Sequence, residues 1–348
     1  MTSSESMPSH YTRIVLNERP ETNITPTTFR TERVPFSELK PKENEVIVQL
    51  LYLSLDPAMR GWLKDQRSYV PPVQIDEVMR GFGLGRVVEK GSNSQLEVGT
   101  VVTGVIGWRD YAVLPEKALT KIKVPQGVQA LDFLNTLGLT GMTAYFGLKE
   151  IGKLQKGETL VVSGAAGAVG ALACQLGKRT GAKVFAIAGS QAKCDWLEKE
   201  LGVDRAFNYK SPTFKEDFKE LGYLDVYFDN VGGEILDMCL GRLNRGARVA
   251  LCGAISAYNS AKPEGIRGYL SLISQRAMIQ GFIVFDYQDR YPEAIAEIAE
   301  GLRDGSIKSK FHIVDGLENA PTALPMLFSG GNTGKLVVKV SDELKSNL

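Results

Sequence analysis

The sequence predicts an α/β protein in which a parallel sheet with helices on both faces is joined to a separate β-rich domain. Two observations support this. From residue 159 to about residue 285, strand and helix patterns alternate, which is typical of a parallel sheet covered on both faces. Residues 11–130 instead show short β-branched runs interrupted by Gly, Pro, Asn and Asp, which indicates a compact barrel-like domain. A chain of 348 residues has room for both domains.

The clearest local signal is a glycine-rich turn between two strands. The run Leu160–Val162 is followed by the small residues of Gly164–Gly170, then by a helical pattern and the second strand Lys183–Ala188. In this unit the small residues let the backbone approach a pyrophosphate, and the helix N-terminus presents free N–H groups to it. We therefore predict a doubly wound Rossmann sheet that binds a dinucleotide. The alternative is a similar turn that binds nothing.

The end of the second strand indicates which dinucleotide is bound. An NAD site usually has Asp or Glu there for the ribose 2′-hydroxyl. This chain has Ala188, Gly189 and Ser190, with Lys193 one helical step later. A missing carboxylate and an added cation suit a 2′-phosphate, so we predict NADPH/NADP+. The alternative for Lys193 is a solvated surface charge.

The remaining patterns suggest where the two domains divide. In the second domain we expect buried strands at Leu224–Phe228, Ala247–Leu251 and Met278–Phe285. Helices are expected between the strands at Gln191–Leu201 and Gly233–Leu243, and a further helix follows at residues 292–305. Two later strands, Phe311–Val314 and Lys335–Val340, flank a helix near Ala320–Phe328 and need partners. The simplest arrangement returns them to the first domain. We therefore predict a discontinuous β-barrel domain of residues 1–130 plus 306–348, and a Rossmann domain of residues 131–305.

Charge and hydropathy narrow the class of partner. The chain has 41 basic and 40 acidic residues and no basic stripe, so nucleic acid is not expected as a partner. No apolar run reaches the roughly 18–20 residues that span a bilayer. The N-terminal stretch MTSSESMPSHYTR is polar and is expected to be a loose tail without a signal core. We expect a cytoplasmic protein that binds a small molecule and does not associate with membranes.

Cysteine and histidine usage excludes several kinds of chemistry. The spacings of Cys174, Cys194, Cys239 and Cys252 fit no metal-binding pattern, and we expect buried thiols in a reducing compartment. The chain has only two histidines, His10 and His312, which disfavours a catalytic triad and a His-rich zinc site. We predict no metal site.

Eight segments in order carry a resemblance that covers nearly the whole chain: Tyr52–Pro57 with Met59–Gly61, Gly138–Tyr145, Gly164–Gly170, Ala188–Ser190 with Lys193, Phe207–Lys210, Tyr227–Gly233, Cys252–Asn259 and Gly330–Lys335. Together they resemble the zinc-independent medium-chain dehydrogenase/reductases, especially the alkenal/enone double-bond reductases that include the prostaglandin reductase branch. The resemblance implies a GroES-like substrate domain and a Rossmann domain with the active cleft between them. It also implies hydride transfer from NADPH to the β-carbon of an α,β-unsaturated aldehyde or ketone, and a homodimer joined through the strand near Gly281–Phe285.

The resemblance also implies roles for individual residues. The pyrophosphate turn corresponds to Gly167, Ala168, Val169 and Gly170, and the 2′-phosphate binders to Lys193 and Tyr209 with Ser190. Further cofactor contacts correspond to Asn230, Cys252, Tyr258, Phe282, Ile283, Val284 and Asn332, and groups near the nicotinamide to Tyr52, Met142 and Thr143. Many relatives have Tyr where this chain has Ala58, which makes the substrate pocket less transferable than the cofactor site.

The implied reaction needs a hydrogen-bond donor for the substrate oxygen on which negative charge develops. Tyr258 is the best candidate for this catalytic role, because a phenol with a pKa near 10 stays protonated. The alternative is a tyrosine that only shapes the cofactor site. Other possible functions are a quinone reductase on the same scaffold, a secondary alcohol dehydrogenase, and a non-catalytic NADPH-binding module.

Overall fold

The computed structural model describes residues 7–341. The N-terminal part contains one short helix, α1 (Met59–Trp62), and the strands β1 (His10–Leu16), β2 (Phe29–Pro35), β3 (Glu45–Ser54), β4 (Phe82–Lys90), β5 (Val101–Val105), β6 (Tyr111–Pro115) and β7 (Leu119–Lys121). The central part contains α2 (Leu139–Phe146), β8 (Thr159–Val162), α3 (Ala168–Thr180), β9 (Lys183–Ala188), α4 (Gln191–Leu201), β10 (Arg205–Asn208), α5 (Phe214–Asp217), β11 (Leu224–Asp229), α6 (Gly233–Leu240), β12 (Leu243–Leu251), α7 (Leu270–Gln275), β13 (Met278–Gly281) and α8 (Tyr291–Asp304). The C-terminal part contains β14 (Phe311–Asp315), α9 (Ala320–Ala323), α10 (Met326–Ser329) and β15 (Lys335–Lys339).

The central strands form a six-stranded parallel sheet in the order β10-β9-β8-β11-β12-β13. This is the doubly wound order: strands are added outward from β8 to one edge as far as β10, and then from β11 to the other edge, so the strand order reverses between β8 and β11. Ligands of such sheets bind in the crevice at the carboxyl ends of the strands on either side of that reversal. The predicted Rossmann domain is confirmed, and its binding crevice lies after Val162 and Asp229.

The central sheet is buried on both faces. Leu160 and Val162 of β8 pack in one apolar cluster, and Val161 packs in another on the opposite face. Alternate side chains of a strand point to opposite faces, so a continuous β-branched run is what a sheet between two helical layers requires. This packing fixes the position of β8 between the two helical layers, and therefore the position of the glycine turn that follows it.

The second large sheet has seven strands, six of them in the order β14-β15-β3-β4-β5-β7, with β6 paired to β3. Strand β15 pairs antiparallel with β3 through Val337–Lys339, and β14 pairs parallel with β15. The C-terminal strands therefore return to the N-terminal sheet, and the discontinuous β-domain is confirmed. The boundaries at residues 130 and 306 stay a prediction.

The turn before β15 joins the two sheets. The Gly334 N–H donates to the Ala166 carbonyl (2.8 Å) in the glycine turn. One residue later, the buried Lys335 ammonium binds the Asp56 carboxylate (2.5 Å) beside β3. The polypeptide from Gly334 to Lys335 thus bonds to both domains within two residues.

Four local expectations differ from the structure. The helix expected at Gly233–Leu243 ends at Leu240, and Leu243 begins β12. Residues His10–Arg13, expected in a loose tail, lie in β1 because they pair with Glu32–Pro35 of β2, a partner more than 18 residues away. The strand expected at Met278–Phe285 ends at Gly281, where β12 ends opposite it, and the chain turns into a 3-10 helix at Val284–Arg290. The helix expected near Ala320–Phe328 is two short helices, since Pro325 lacks the N–H that a continuous helix would use.

Residues 1–6 of the expected tail lie outside the described residues. In the described part of the chain, no helix combines the length and the apolar character needed to cross a membrane.

Candidate active site between the two domains

The glycine turn places the N-terminus of α3 at the carboxyl end of β8. Gly164 has a φ of +57°, which favours glycine, and its carbonyl accepts the N–H of Gly167, the residue that precedes α3. A Cβ on Gly170 would lie 2.4 Å from the Gly164 carbonyl oxygen. That clash is with backbone, which cannot move aside, so the close approach of α3 to the turn requires glycine at this position. Ala168 and Val169 form the first turn of α3, where N–H groups remain available to an anion.

A buried carboxylate organises the neighbouring strand end. Asp229 is fully buried, and its Oδ1 accepts hydrogen bonds from the hydroxyls of Ser163 (2.9 Å) and Tyr227 (2.7 Å). The same oxygen accepts the N–H groups of Val231 (2.9 Å) and Gly232 (3.0 Å). One oxygen therefore holds the end of β8 and the turn after β11 together.

Asn230 and Cys252 continue this arrangement. Asn230 donates its N–H to the Ser163 hydroxyl (3.0 Å) and its side-chain amide to the Ser163 carbonyl (2.7 Å). The N–H groups of Cys252 and Gly253 donate to the Asp229 carbonyl (2.9 and 3.0 Å). The carboxyl ends of β8, β11 and β12 are thus joined by hydrogen bonds, and Asn230 and Cys252 lie at that edge. Their role as cofactor contacts stays a prediction.

The end of β9 presents a positively charged surface. The Ser190 hydroxyl accepts the Lys193 N–H (3.3 Å) and caps α4, and Tyr209 lies against Gly189, where a Cβ would be 3.0 Å from its ring. The Lys193 ammonium donates to the Gly330 carbonyl (2.8 Å), and burial, followed by the charge of Lys210, lowers its pKa. Among residues 7–341, neither lysine forms an ion pair. Two cations without a carboxylate and two hydroxyls are a donor set that suits a dianionic phosphate.

Tyr258 follows the 3-10 turn Ile255–Ala257 after β12. Its hydroxyl oxygen accepts the Ala254 N–H (3.3 Å), and in the part of the chain that the structure describes the phenol hydrogen has no acceptor. Burial raises the pKa of Tyr258, with a smaller contribution from Cys252 and Tyr69. The phenol is therefore neutral and able to donate throughout the physiological pH range.

The other predicted cofactor residues lie in two places, the segment after β13 and the segment before β15. Phe282 packs edge to face on Phe228 (6.4 Å between ring centres), and the carbonyls of Ile283 and Val284 accept from the Asp286 N–H and the Tyr291 hydroxyl (both 3.1 Å). Asn332 is buried in the segment that contacts the glycine turn, and its amide donates to the Gly334 carbonyl (3.0 Å).

Three residues expected near the nicotinamide have structural contacts of their own. Met142 is 1% exposed in the core, and the Thr143 hydroxyl donates to the Leu139 carbonyl (2.7 Å). Tyr52 lies on β3, partly buried against the apolar cluster that contains Leu84 and Val337. Their roles toward a cofactor stay a prediction.

The cysteine thiols and the acidic side chains show whether the described residues could hold a metal ion. Cys174, Cys194 and Cys239 are buried free thiols as expected, and Cys252 is half-buried with a pKa that burial raises to about 12. Among residues 7–341, no group of three or more His, Cys, Asp or Glu side chains is arranged to hold a metal ion. The absence of a metal from the protein stays a prediction.

Sequence reasoning assigned no role to Asp229, Ser163, Arg60 or Asn259. The signal for Asp229 is an acid that ends a largely apolar strand, followed by Asn230, Val231 and two glycines. The long-range partners of Arg60 gave no sequence signal.

Comparison with known proteins places the chain in a family. Residues 12–122 match the model described as N-terminal domain of oxidoreductase, and residues 168–300 match the model described as zinc-binding dehydrogenase. The chain is 40% identical over 307 residues to 2-alkenal reductase (NADP(+)-dependent) of Nicotiana tabacum, covering 86% of this chain and 88% of the relative. It is 37% identical over 340 residues to NADPH-dependent curcumin reductase of Escherichia coli, covering 95% and 97%. The crystal structure of CurA in complex with NADPH from Vibrio vulnificus superimposes with a TM-score of 0.90 at 39% identity, covering 95% of this chain and 100% of that one.

The chain belongs to the zinc-independent medium-chain dehydrogenase/reductases, so the resemblance inferred from sequence is confirmed. It is an NADP-dependent oxidoreductase, and its cofactor is NADPH/NADP+.

The structure predicts that Asp229→Ala both destabilises the protein and weakens NADPH binding. The change leaves four donors without their acceptor, three of them on buried residues, and each unsatisfied buried group costs about 1–3 kcal/mol. We expect a loss of at least about 3 kcal/mol in the free energy of unfolding and a rise of more than about tenfold in the dissociation constant of NADPH. Urea denaturation and fluorescence titration measure the two effects.

Asp225→Ala is the matched control on the same strand. Asp225 accepts from the Thr159 N–H (2.8 Å) and the Asn244 amide (2.7 Å), outside the glycine-turn network. It should lower stability without changing NADPH affinity. Equal NADPH affinities in wild type and Asp229→Ala would contradict the organising role of Asp229.

Proposed function

We propose that the protein uses NADPH to reduce the carbon–carbon double bond of α,β-unsaturated aldehydes and ketones. The names of two relatives, 2-alkenal reductase and curcumin reductase, support this reaction. The structural observation that carries it is the Tyr258 phenol, whose pKa is raised by burial and whose hydrogen has no acceptor among residues 7–341. A neutral donor is what a substrate carbonyl needs when its oxygen gains negative charge.

The described residues fit an NADPH molecule. Gly167, Ala168, Val169 and Gly170 would hold the pyrophosphate at the N-terminus of α3. Ser190, Lys193 and Tyr209 would hold the 2′-phosphate, with Lys210 adding charge. The remaining cofactor contacts would come from the strand-end and C-terminal residues Asn230, Cys252, Phe282, Ile283, Val284 and Asn332, with Tyr52, Met142 and Thr143 toward the nicotinamide.

In the proposed reaction, bound NADPH supplies the hydride that is added to the β-carbon of the substrate. Tyr258 donates its phenolic hydrogen bond to the carbonyl oxygen and stabilises the negative charge there. The Ala254 N–H donates to the phenol oxygen and so directs the phenol hydrogen away from that N–H group. Water supplies the proton to the α-carbon, and the carbonyl group remains intact.

Product analysis tests this function. Incubation with NADPH and 3-nonen-2-one should consume NADPH and yield the saturated ketone, identified by mass spectrometry and NMR. Parallel reactions with a quinone and with a saturated ketone compare the competing activities. An allylic alcohol as the main product, or turnover of the quinone alone, would contradict the proposed reaction.

We predict that Lys193→Ala weakens NADPH binding by roughly 10- to 150-fold. A hydrogen bond to a charged group contributes about 1.5–3 kcal/mol, and about 1.4 kcal/mol corresponds to a factor of ten. NADH has no 2′-phosphate, so its affinity should hardly change. Dissociation constants for both cofactors measure the preference directly.

Lys199→Ala provides the control for this variant. Lys199 lies on the same helix with its side chain 74% exposed and should leave both affinities unchanged. If Lys193→Ala weakened NADPH and NADH equally, Lys193 would not be a phosphate ligand.

We predict that Tyr258→Phe lowers turnover by about 10²–10³-fold, which is the usual effect of removing one central transition-state donor. NADPH affinity should stay within about twofold, because the phenylalanine ring keeps the packing. Steady-state kinetics and fluorescence titration separate the two quantities. If the variant turned over at the wild-type rate, Tyr258 would not be the hydrogen-bond donor and would only pack in the site.

We propose that two chains form a homodimer through the edge of the central sheet. Strand β13 is the edge strand, and α7 beside it exposes Leu270 (63%) and Ile273 (71%). Met278 on β13 and Tyr269 before α7 are also exposed. An exposed apolar patch beside an open strand edge is typical of an association surface, and a symmetric dimer would cover both edges at once.

Light scattering after gel filtration tests the dimer. The wild type should have about twice the chain mass of 38.0 kDa, and Ile273→Glu should shift the protein toward the monomer. Tyr223→Glu is the control, since Tyr223 is similarly exposed (65%) but lies before β11. A wild type that stays at the mass of one chain at micromolar concentration would contradict the proposal.

A further inference from the structure

We propose that Arg60 positions the catalytic tyrosine through Asn259, so that a residue of the β-domain determines where the Tyr258 hydroxyl lies. Arg60 lies in α1, directly after the Asp-Pro turn at Asp56 and Pro57. Its Nε donates to the Asn259 side-chain oxygen at 3.0 Å, across 199 residues of sequence. This inference rests on the proposed role of Tyr258 as the hydrogen-bond donor.

Arg60 is an unusual residue to bury. Its side chain is fully inaccessible, and among residues 7–341 it forms no ion pair with a carboxylate. Its other partners are backbone carbonyls: Nε also donates to Thr22 (3.0 Å), and Nη2 donates to Thr22 (2.7 Å), Pro20 (3.0 Å) and Glu21 (3.3 Å). Nη1 has no hydrogen-bond partner among the described residues. Burial lowers the pKa of this guanidinium. Burying a charge without an opposite charge is costly, so a residue kept there is expected to have a function beyond stability.

The Tyr258 segment depends on hydrogen bonds for its position. Residues 253–260 are half-buried or exposed and none of them belongs to an apolar core cluster, so hydrogen bonds rather than core packing fix this stretch. On the Rossmann side, the N–H groups of Ile255 and Ser256 donate to the carbonyls of Asn230 and Val231, each at 3.2 Å. Within the part of the chain that the structure describes, the Arg60–Asn259 bond is the hydrogen bond that ties this segment to the β-domain.

Tyr258 therefore lies between two anchors, one on each domain. An oxyanion donor acts only when its donor atom lies about 2.7–3.1 Å from the atom on which charge develops. A displacement of about 1 Å can cost about 10²-fold in rate. Loss of the Asn259 acceptor would free one end of the segment and should lower turnover while the cofactor still binds.

Asn259→Ala tests the positioning role. We expect turnover to fall by about 10- to 100-fold, from the displacement argument above, with NADPH affinity and melting temperature close to those of the wild type. Asn259→Asp keeps an oxygen facing Arg60 and adds a charge to the bond, so it should retain most of the turnover. Ser260→Ala, one residue further along, is the matched control and should behave as the wild type.

A double-mutant cycle with Tyr258→Phe decides whether Asn259 acts through the tyrosine. When the hydroxyl is absent there is nothing to position, so adding Asn259→Ala to Tyr258→Phe should lower turnover by less than about threefold. A full additional loss in the double variant would overturn the inference, and so would equal loss in the Ala and Asp variants. Weakened NADPH binding or a lowered melting temperature in Asn259→Ala would also overturn it.

The same cycle separates this inference from the proposed function. If Tyr258→Phe lowers turnover but Asn259→Ala does not, the donor role stands and the positioning role fails. If Tyr258→Phe turns over as the wild type does, the donor role fails and the positioning role fails with it. Formation of the saturated ketone would still establish the reaction.

Discussion

The Asp229 carboxylate is the constraint on which the site depends. Its Oδ1 accepts four hydrogen bonds, and its own carbonyl accepts two more from the start of the segment after β12. Each of these hydrogen bonds is strengthened by the burial of the acceptor, because little water competes for the donors. The end of β8, the turn after β11 and the start of the Tyr258 segment are consequently placed relative to one another by the side chain and the carbonyl of one residue that need not touch the substrate.

The connection between the domains follows from that arrangement. The C-terminal segment contacts the glycine turn through Gly334 and binds Asp56 through Lys335, and the Lys193 ammonium donates to Gly330 in the same segment. Arg60 adds a further link, at the Tyr258 end of the cleft. Both ends of the proposed cofactor site are thus bonded to elements that belong to, or lead into, the β-domain. A substrate bound in this cleft would lie between the Rossmann domain and the β-domain, which these hydrogen bonds hold together.

Much of the fold was predictable because its signals are local. The β-branched runs, the glycine turn after Val162 and the change at Ala188–Ser190 each lie within a few residues, and strand alternation identified the sheet. Features that depend on residues far apart in the sequence could not be predicted in this way. The pairing of His10–Arg13 with β2, the end of β13 at Gly281 and the contact between Arg60 and Asn259 are determined by tertiary neighbours. Asp229 was visible in its motif, but its role requires knowledge that Ser163 lies beside it.

The position of the transferred hydride tests the central claim most directly. An enone reduced with NADPH that carries deuterium at C4 of the nicotinamide should be analysed by NMR and mass spectrometry. The account predicts a saturated ketone with one deuterium at the former β-carbon and none at the carbonyl carbon. Deuterium at the carbonyl carbon of an alcohol product would show that the site reduces the carbonyl group and would contradict the proposed function.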